Sequence, residues 1–233
     1  MRPMAGPTGD LRVLVDYREQ LVAERTALAS RVHVDLCCVP PGHQHALPRH
    51  TQPAHLRAAT ALLDGDQSVR AAVTRRRVQR MIEINADLRR LREQIGDLVT
   101  ASGTSLTSIY GIGPLIAARI LAEVVDIARY PSRHHFAAAD GSAPIPASSG
   151  RTVRHRLNRG RNRQLNRALY TIAITEIRGD TEGRSYYQRK RAEGKTGRDA
   201  VRCLKRRLAD VIYKTMRADA PAAIPASPPA AAA

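Results

Sequence analysis

Between Val78 and Val99 the chain reads VQRMIEINADLRRLREQIGDLV, and Met81, Ile84, Leu88, Leu91, Ile95 and Leu98 recur at alternating steps of three and four. That spacing lays one apolar stripe along a helix, in the seven-residue repeat of helices that run side by side. A strand cannot use it, because strand side chains change face at every residue. A second segment, residues 10–36, offers a partner: Leu14, Tyr17, Leu21, Leu28 and Val32 follow the same steps, and Asp10 stands where an N-cap would. The two predict a coiled-coil connector, closed within the chain as an antiparallel pair or between two copies. A homo-oligomer through this seam is the expected assembly.

The rest of the chain points the same way. Trp is absent, there is one Phe, and aromatic residues make up 3% of the 233, so the 43% apolar content is mainly Ala, Leu, Val and Ile. Such a mixture packs helices and leaves a sheet short of bulky residues. The expected fold is all-α: a two-helix connector over residues 10–99, then a compact helical domain over 104–217. Two interruptions are expected: a Pro- and His-rich loop at about 37–55, and a disordered Pro/Ala tail at 218–233. In the second domain, residues 105–128 read as helix, a tight GIG turn and helix, with further helices over 161–178 and from Gly197 through Met216.

Charge narrows the partner. Lys and Arg number 38 against 21 Asp and Glu, a formal charge of +17, and most of the excess is arginine. A surface this positive favours a polyanion such as DNA or RNA. No run approaches the length of a membrane span and no apolar leader opens the chain, so no membrane partner is expected and the cytoplasm is the expected compartment. Cys37, Cys38 and Cys203 form neither a disulfide framework nor a thiolate zinc frame. With His43, His45, His50 and His55, the first two could supply metal donors, but a loop without metal is the favoured reading.

Two stretches could carry chemistry. In YGIGPLIAARIL, Gly111 and Gly113 permit a turn and Pro114 suits a helix start, which makes a helix-hairpin-helix whose turn receives a phosphate. In ASSGRTVRHRLNRGRNRQLNR, Arg151, Arg154, Arg156, Arg159, Arg161, Arg163 and Arg167 occur without an acid among them, while Asn158, Asn162, Gln164 and Asn166 add neutral donors and acceptors. Lys205, Arg206 and Arg207 extend this expected nucleic-acid surface. Ser148 and Ser149, before Gly150, are the available hydroxyl nucleophiles, although Ser-Ser-Gly is also common in loops. Asp126, Asp140, Glu176, Asp180 and Glu182 show no spacing that marks a metal set, so no metal site is expected on this chain.

Taken together, DLRVLVDYREQLVAERT, FAAADGSAPIPASSG, RLNRGRNRQLNRALYTIAITEIR and YYQRKRAEGKTGRDAVRCLKRRLADVIYKTM resemble the DEDD/serine insertion-sequence transposases. The resemblance implies a helical C-terminal transposase domain behind a coiled-coil connector. It assigns the nucleophile to Ser149 in the block Gly141, Pro144, Ser149, Gly150, with Ser148 as the fallback and a phosphoserine link to DNA as the intermediate. It also implies a structured guide RNA, and an N-terminal RuvC-like domain whose four acids hold Mg²⁺. The residues ahead of Asp10, MRPMAGPTG, contain no carboxylate side chain, so that domain is expected to be missing and Mg²⁺ to come only with it. A non-catalytic helical DNA/RNA-binding remnant or regulator is the alternative reading.

Overall fold

The computed structural model describes residues 7–38, 51–143, 145–146, 155–156 and 161–220, with backbone alone for 7–8, 145–146 and 155–156. The chain divides into two units, Met1–Leu98 and Val99–Ala233. The described residues form eight α-helices, and the only sheet among them is a two-residue antiparallel ladder, so the fold is all-α as the composition implied.

In the first unit, α1 (Pro7–Cys38) and α3 (Val69–Ala101) lie antiparallel, with α2 (Pro53–Leu62) packed near one end. The seam is real and is covered within the chain. Leu21 of α1 meets Ile84 and Leu91 of α3, with Leu14, Leu28 and Leu88 against them. Further along, Val32 and Leu36 share a cluster with Val78, Met81, and Leu56 and Ala59 of α2. Polar links across the pair run in the same antiparallel register: Arg80 Nε to Glu24 Oε1 at 2.8 Å, Arg25 Nη1 to Asn85 Oδ1 at 2.9 Å, and Arg77 to Asp35. These pairs are partly exposed and contribute little beside the apolar burial, although they fix the pairing.

Two details depart from expectation. Asp10 is no N-cap: α1 begins at Pro7, so Asp10 lies in the first turn, where its charge complements the helix dipole. Tyr17 is 45% exposed, because the buried stripe of α1 runs instead through Leu11, Val15, Leu21, Val32 and Leu36. Of the expected loop, Cys37 and Cys38 end α1 exposed and Pro53–His55 open α2, while 39–50 lie outside the described residues.

The second unit is built around α8 (Gly197–Asp219), which α5 (Arg133–Ala139), α6 (Arg163–Arg178) and α7 (Glu182–Ala192) contact, while α4 (Pro114–Val124) packs on α6. Both α6 and α8 are amphipathic: Leu165, Ala168, Leu169, Ile172 and Ala173 bury one face of α6, and Leu204, Leu208, Ile212 and Met216 one face of α8. Phe136 is fully buried, edge-on to Tyr130 at 5.3 Å and tilted against Tyr213 at 5.9 Å. The far end of α8 is tied back by Asp219, which accepts from Ser105 N at 2.8 Å, Ser105 Oγ at 2.6 Å and Thr104 Oγ1 at 3.0 Å. That helix runs three residues past its expected end at Met216.

The helix-hairpin-helix needs correction. Ahead of the GIG turn stands a single 3₁₀ turn, Ser105–Ser108, rather than an α-helix. Its residues explain this. Thr104 Oγ1 caps Leu106 N, and Ser108 Oγ bonds back to Ser105 O, so side chains take up the backbone groups a longer helix would use. Gly111 adopts φ +83°, and an added Cβ would come within 3.3 Å of Thr175 Cβ, so this glycine serves close packing on α6. Gly113 is exposed and N-caps α4 without strain.

Candidate nucleic-acid interface

Four residues of α6 share one side. Arg163, Asn166, Arg167 and Tyr170 fall at steps of three and four, opposite the buried Leu165, Leu169 and Ile172. They form one wall of a cleft of about 1000 Å³. Arg198, Val201, Arg202 and Lys205 of α8 line it too, as do Asp140, Arg161 and Tyr187. Arg161, Arg163, Arg167, Arg198 and Arg202 are exposed. Five arginines and one lysine thus face a single acid, Asp140, and that acid is fully buried.

A cationic wall of this kind needs a rigid support, and polar links from three helices supply it. Asn162 caps α6 by accepting from Leu165 N at 2.9 Å, and its own N–H donates to Ala139 O at 3.1 Å. Asn162 Nδ2 also donates to Glu123 Oε2 at 2.7 Å, while Glu123 Oε1 pairs with Arg119 Nη1 at 3.2 Å. Below the wall, Lys205 Nζ donates to Asn166 Oδ1 at 2.6 Å and Asn166 Nδ2 donates to Asp140 O at 2.8 Å. Asn162 and Asn166, expected as nucleic-acid donors and acceptors, instead hold the cleft together. A helix start needs a cap and a buried lysine needs an acceptor, and these two asparagines meet those needs.

Asp140 carries the most displaced titration in the cleft. Burial pushes its carboxyl up to about 6, and neighbouring Ser142 and the charges of Lys205 and Arg206 pull the other way. Oδ1 accepts from Ser142 N at 2.6 Å, while Oδ2 is buried with no hydrogen-bond partner among the described residues. Burial likewise pulls the Lys205 ammonium down, against the opposing influence of Asp140. Because the folded carboxyl holds its proton to higher pH than an unfolded one, its stability contribution is complete below about pH 4 and is lost as pH rises through about 6. The full change is up to about 3 kcal/mol. Urea unfolding of the parent and Asp140→Asn at pH 4.5 and 7.5 should show the difference between them shift toward the variant at the higher pH. Taking the difference cancels carboxylates held low, such as Asp199, whose trend is opposite.

Placement of the other expected residues is mixed. Arg161, Arg163 and Arg167 are brought together at the cleft. Arg156 and His155 pair in register with Ile145 and Pro146 in the short ladder. Ser148, Ser149, Arg151, Arg154 and Arg159 lie outside the described residues. Lys205 is a buried floor residue, not an exposed extension of the surface. Arg206 is bound to Asp210, and Arg207 sits over the Tyr186 ring at 5.3 Å and reaches Glu182 at 3.5 Å, and neither lines the cleft. Asp126 caps a 3₁₀ turn through Ala128 N. No three His, Cys, Asp or Glu among the described residues come together to hold a metal ion, and no described helix is long and apolar enough to cross a membrane. Tyr170, Tyr187, Arg198 and Arg202 were not legible as site residues, although the spacing of Tyr170 from Arg163 and Arg167 was the available signal.

Relatives give these observations a context. The chain is 36% identical over 137 residues to the 43.6 kDa protein of insertion element IS110 from Streptomyces coelicolor, covering 58% of this chain and 34% of that one. It is 39% identical over 115 residues to the 42 kDa protein of insertion element IS900 from Mycobacterium paratuberculosis, covering 48% and 29%. The 44.8 kDa protein of insertion element IS116 from Streptomyces clavuligerus matches at 27% over 89% of this chain and 63% of its own length. The first two matches therefore span about a third of those relatives. Residues 103–188, which include α6 with its arginine wall, carry a domain that matches the Transposase IS116/IS110/IS902 family.

Proposed function

We propose that this chain is the strand-handling and strand-joining portion of an insertion-element transposase. The observation that carries the reading is the cleft: five exposed arginines and a buried lysine in a helical unit whose family match includes its α6 wall. Arginine forks suit phosphate oxygens, and a fixed cationic wall stabilises charge on a phosphoryl group in transfer. In this reading Ser149 Oγ attacks phosphorus and forms a P–O bond as the bond to a deoxyribose oxygen breaks; Ser148 is the fallback. Arg151, Arg154 and Arg159 are assigned to phosphate contact in the same reading, and exposed Gly113 at the head of α4 offers a further one. A structured guide RNA shares that surface, and copies of the chain assemble on DNA. No donor set among the described residues fits Mg²⁺, so no step is assigned here to a metal.

The test is a covalent adduct on nicked DNA carrying the ends of the element, with an acid-bearing domain from a relative supplied in trans. The parent and Ser148→Ala should form a protein–DNA adduct stable to denaturant, and Ser149→Ala should form none. An adduct that survives Ser149→Ala sinks the nucleophile assignment. Tight binding with no adduct from any variant would establish the alternative, a non-catalytic nucleic-acid module.

A further inference from the structure

A cleft built only for a duplex backbone needs cations and nothing aromatic, because bases inside a helix present only their edges. This cleft has aromatic walls. Tyr170 lies on the same side of α6 as Arg163 and Arg167 and is 52% exposed, in a chain with only seven tyrosines. Tyr187 lines the cleft from α7. Tyr170 has no ring partner among the described residues, in contrast to Tyr130, which packs on Phe136, and Tyr186, which faces Arg189, Lys190 and Arg207.

We propose that the cleft takes an unpaired nucleic-acid strand, with a base stacked on Tyr170 and the flanking phosphates held by Arg163 and Arg167. The inference rests on the strand-handling reading and adds its substrate class, a single strand in preference to a duplex. Size agrees: about 1000 Å³ is at the top of the range for sites that enclose a small organic group, so it has room for a flat base and the sugar-phosphate that follows it. Electrostatics agree as well. Among the described lining residues the one acid, Asp140, is withdrawn from the surface, and Asp199, next to Arg198, is paired with Arg202 at 2.8 Å, so the wall a strand meets keeps a positive excess. Stacking tolerates every base, which fits a wall whose asparagines are engaged with Glu123, Lys205 and the backbone instead of being offered to base edges.

The experiment measures binding of fluorescein-labelled 12-mers of mixed sequence by anisotropy, as single-stranded DNA, single-stranded RNA and duplex DNA. Tyr170→Ala should weaken both single strands by roughly tenfold and leave the duplex within twofold, and Tyr170→Phe should restore the single-strand affinity, since the ring and not the hydroxyl does the stacking. Arg163→Gln should weaken all three ligands together. Because Tyr170 is exposed, the variants should keep the parent's melting temperature, and circular dichroism checks this. A preference between the DNA and RNA arms identifies which strand the cleft takes. Equal loss on strand and duplex, or no loss on any ligand, overturns the inference while leaving strand handling intact. A parent that binds none of the three overturns both.

Discussion

Glu123→Ala should lower the stability of the second unit by about 3–5 kcal/mol, the cost of removing one member of a buried ion pair. The side chains of Arg119 and Glu123 are only 6% and 7% exposed. Removing the carboxylate takes a close ion-pair partner from the shielded Arg119 guanidinium. It also removes the acceptor for Asn162 Nδ2, which caps α6 through Leu165 N. Glu123→Gln keeps an oxygen for that bond and should cost less. Glu24→Ala is the contrast: Glu24 pairs with Arg80, but both side chains are more than 40% exposed, so the loss should stay below about 1 kcal/mol. Urea unfolding of the three variants checks the order. Because Asn162 immediately precedes the arginine wall, Glu123→Ala should also weaken nucleic-acid binding at temperatures where the protein remains folded.

Charge reversal in the cleft should have the largest effect on binding. Replacing Arg163, Arg167 and Arg202 together by Glu changes the local charge by six and turns three cations of the cleft, one of them paired with Asp199, into repulsive groups. The expected loss of affinity for a nucleic-acid strand is about a hundredfold at moderate salt. The three positions are exposed, so the fold should tolerate the change. Reversal of Arg12, Arg31 and Arg57 in the first unit alters net charge by the same amount and serves as the control. A loss confined to the cleft variant separates a site from a general effect of the +17 total.

The long apolar periods of α1 and α3 were legible because a heptad stripe over many turns admits few other readings, and the buried Met81, Ile84, Leu91 and Ile95 follow it closely. The intramolecular closure was not decided by the stripe, since a/d residues fit a second copy as well as a second segment. Short elements were harder. The seven residues of α5 carry too few turns for periodicity to speak, and α7 buries no residue, so neither leaves a hydrophobic signature. At Ser105–Ser108 the apolar spacing around Leu106 suggests a full helix, but the Ser and Thr side chains compete for its backbone and leave a 3₁₀ turn.

At the site, Arg161, Arg163 and Arg167 could be named because the stretch lacks acids. Their partners from α8 could not, since Arg198 and Arg202 come near them only through the packing of α6 on α8. Asn162 and Asn166 show the limit from the other side. An asparagine in an arginine-rich run looks like a ligand-binding group until the structure shows Glu123, Ala139, Asp140 and Lys205 around it.

The central claim is that the cleft is a cationic strand-binding site, and its most direct test is the salt dependence of binding. Affinity for a single-stranded 12-mer, followed from low to moderate salt, reports how many phosphates the protein neutralises. Arg163→Gln, Arg167→Gln and Arg202→Gln combined should make the slope of log affinity against log salt shallower by about 2, at roughly 0.7 for each single-strand phosphate that is no longer neutralised. An unchanged slope with unchanged affinity would contradict the account.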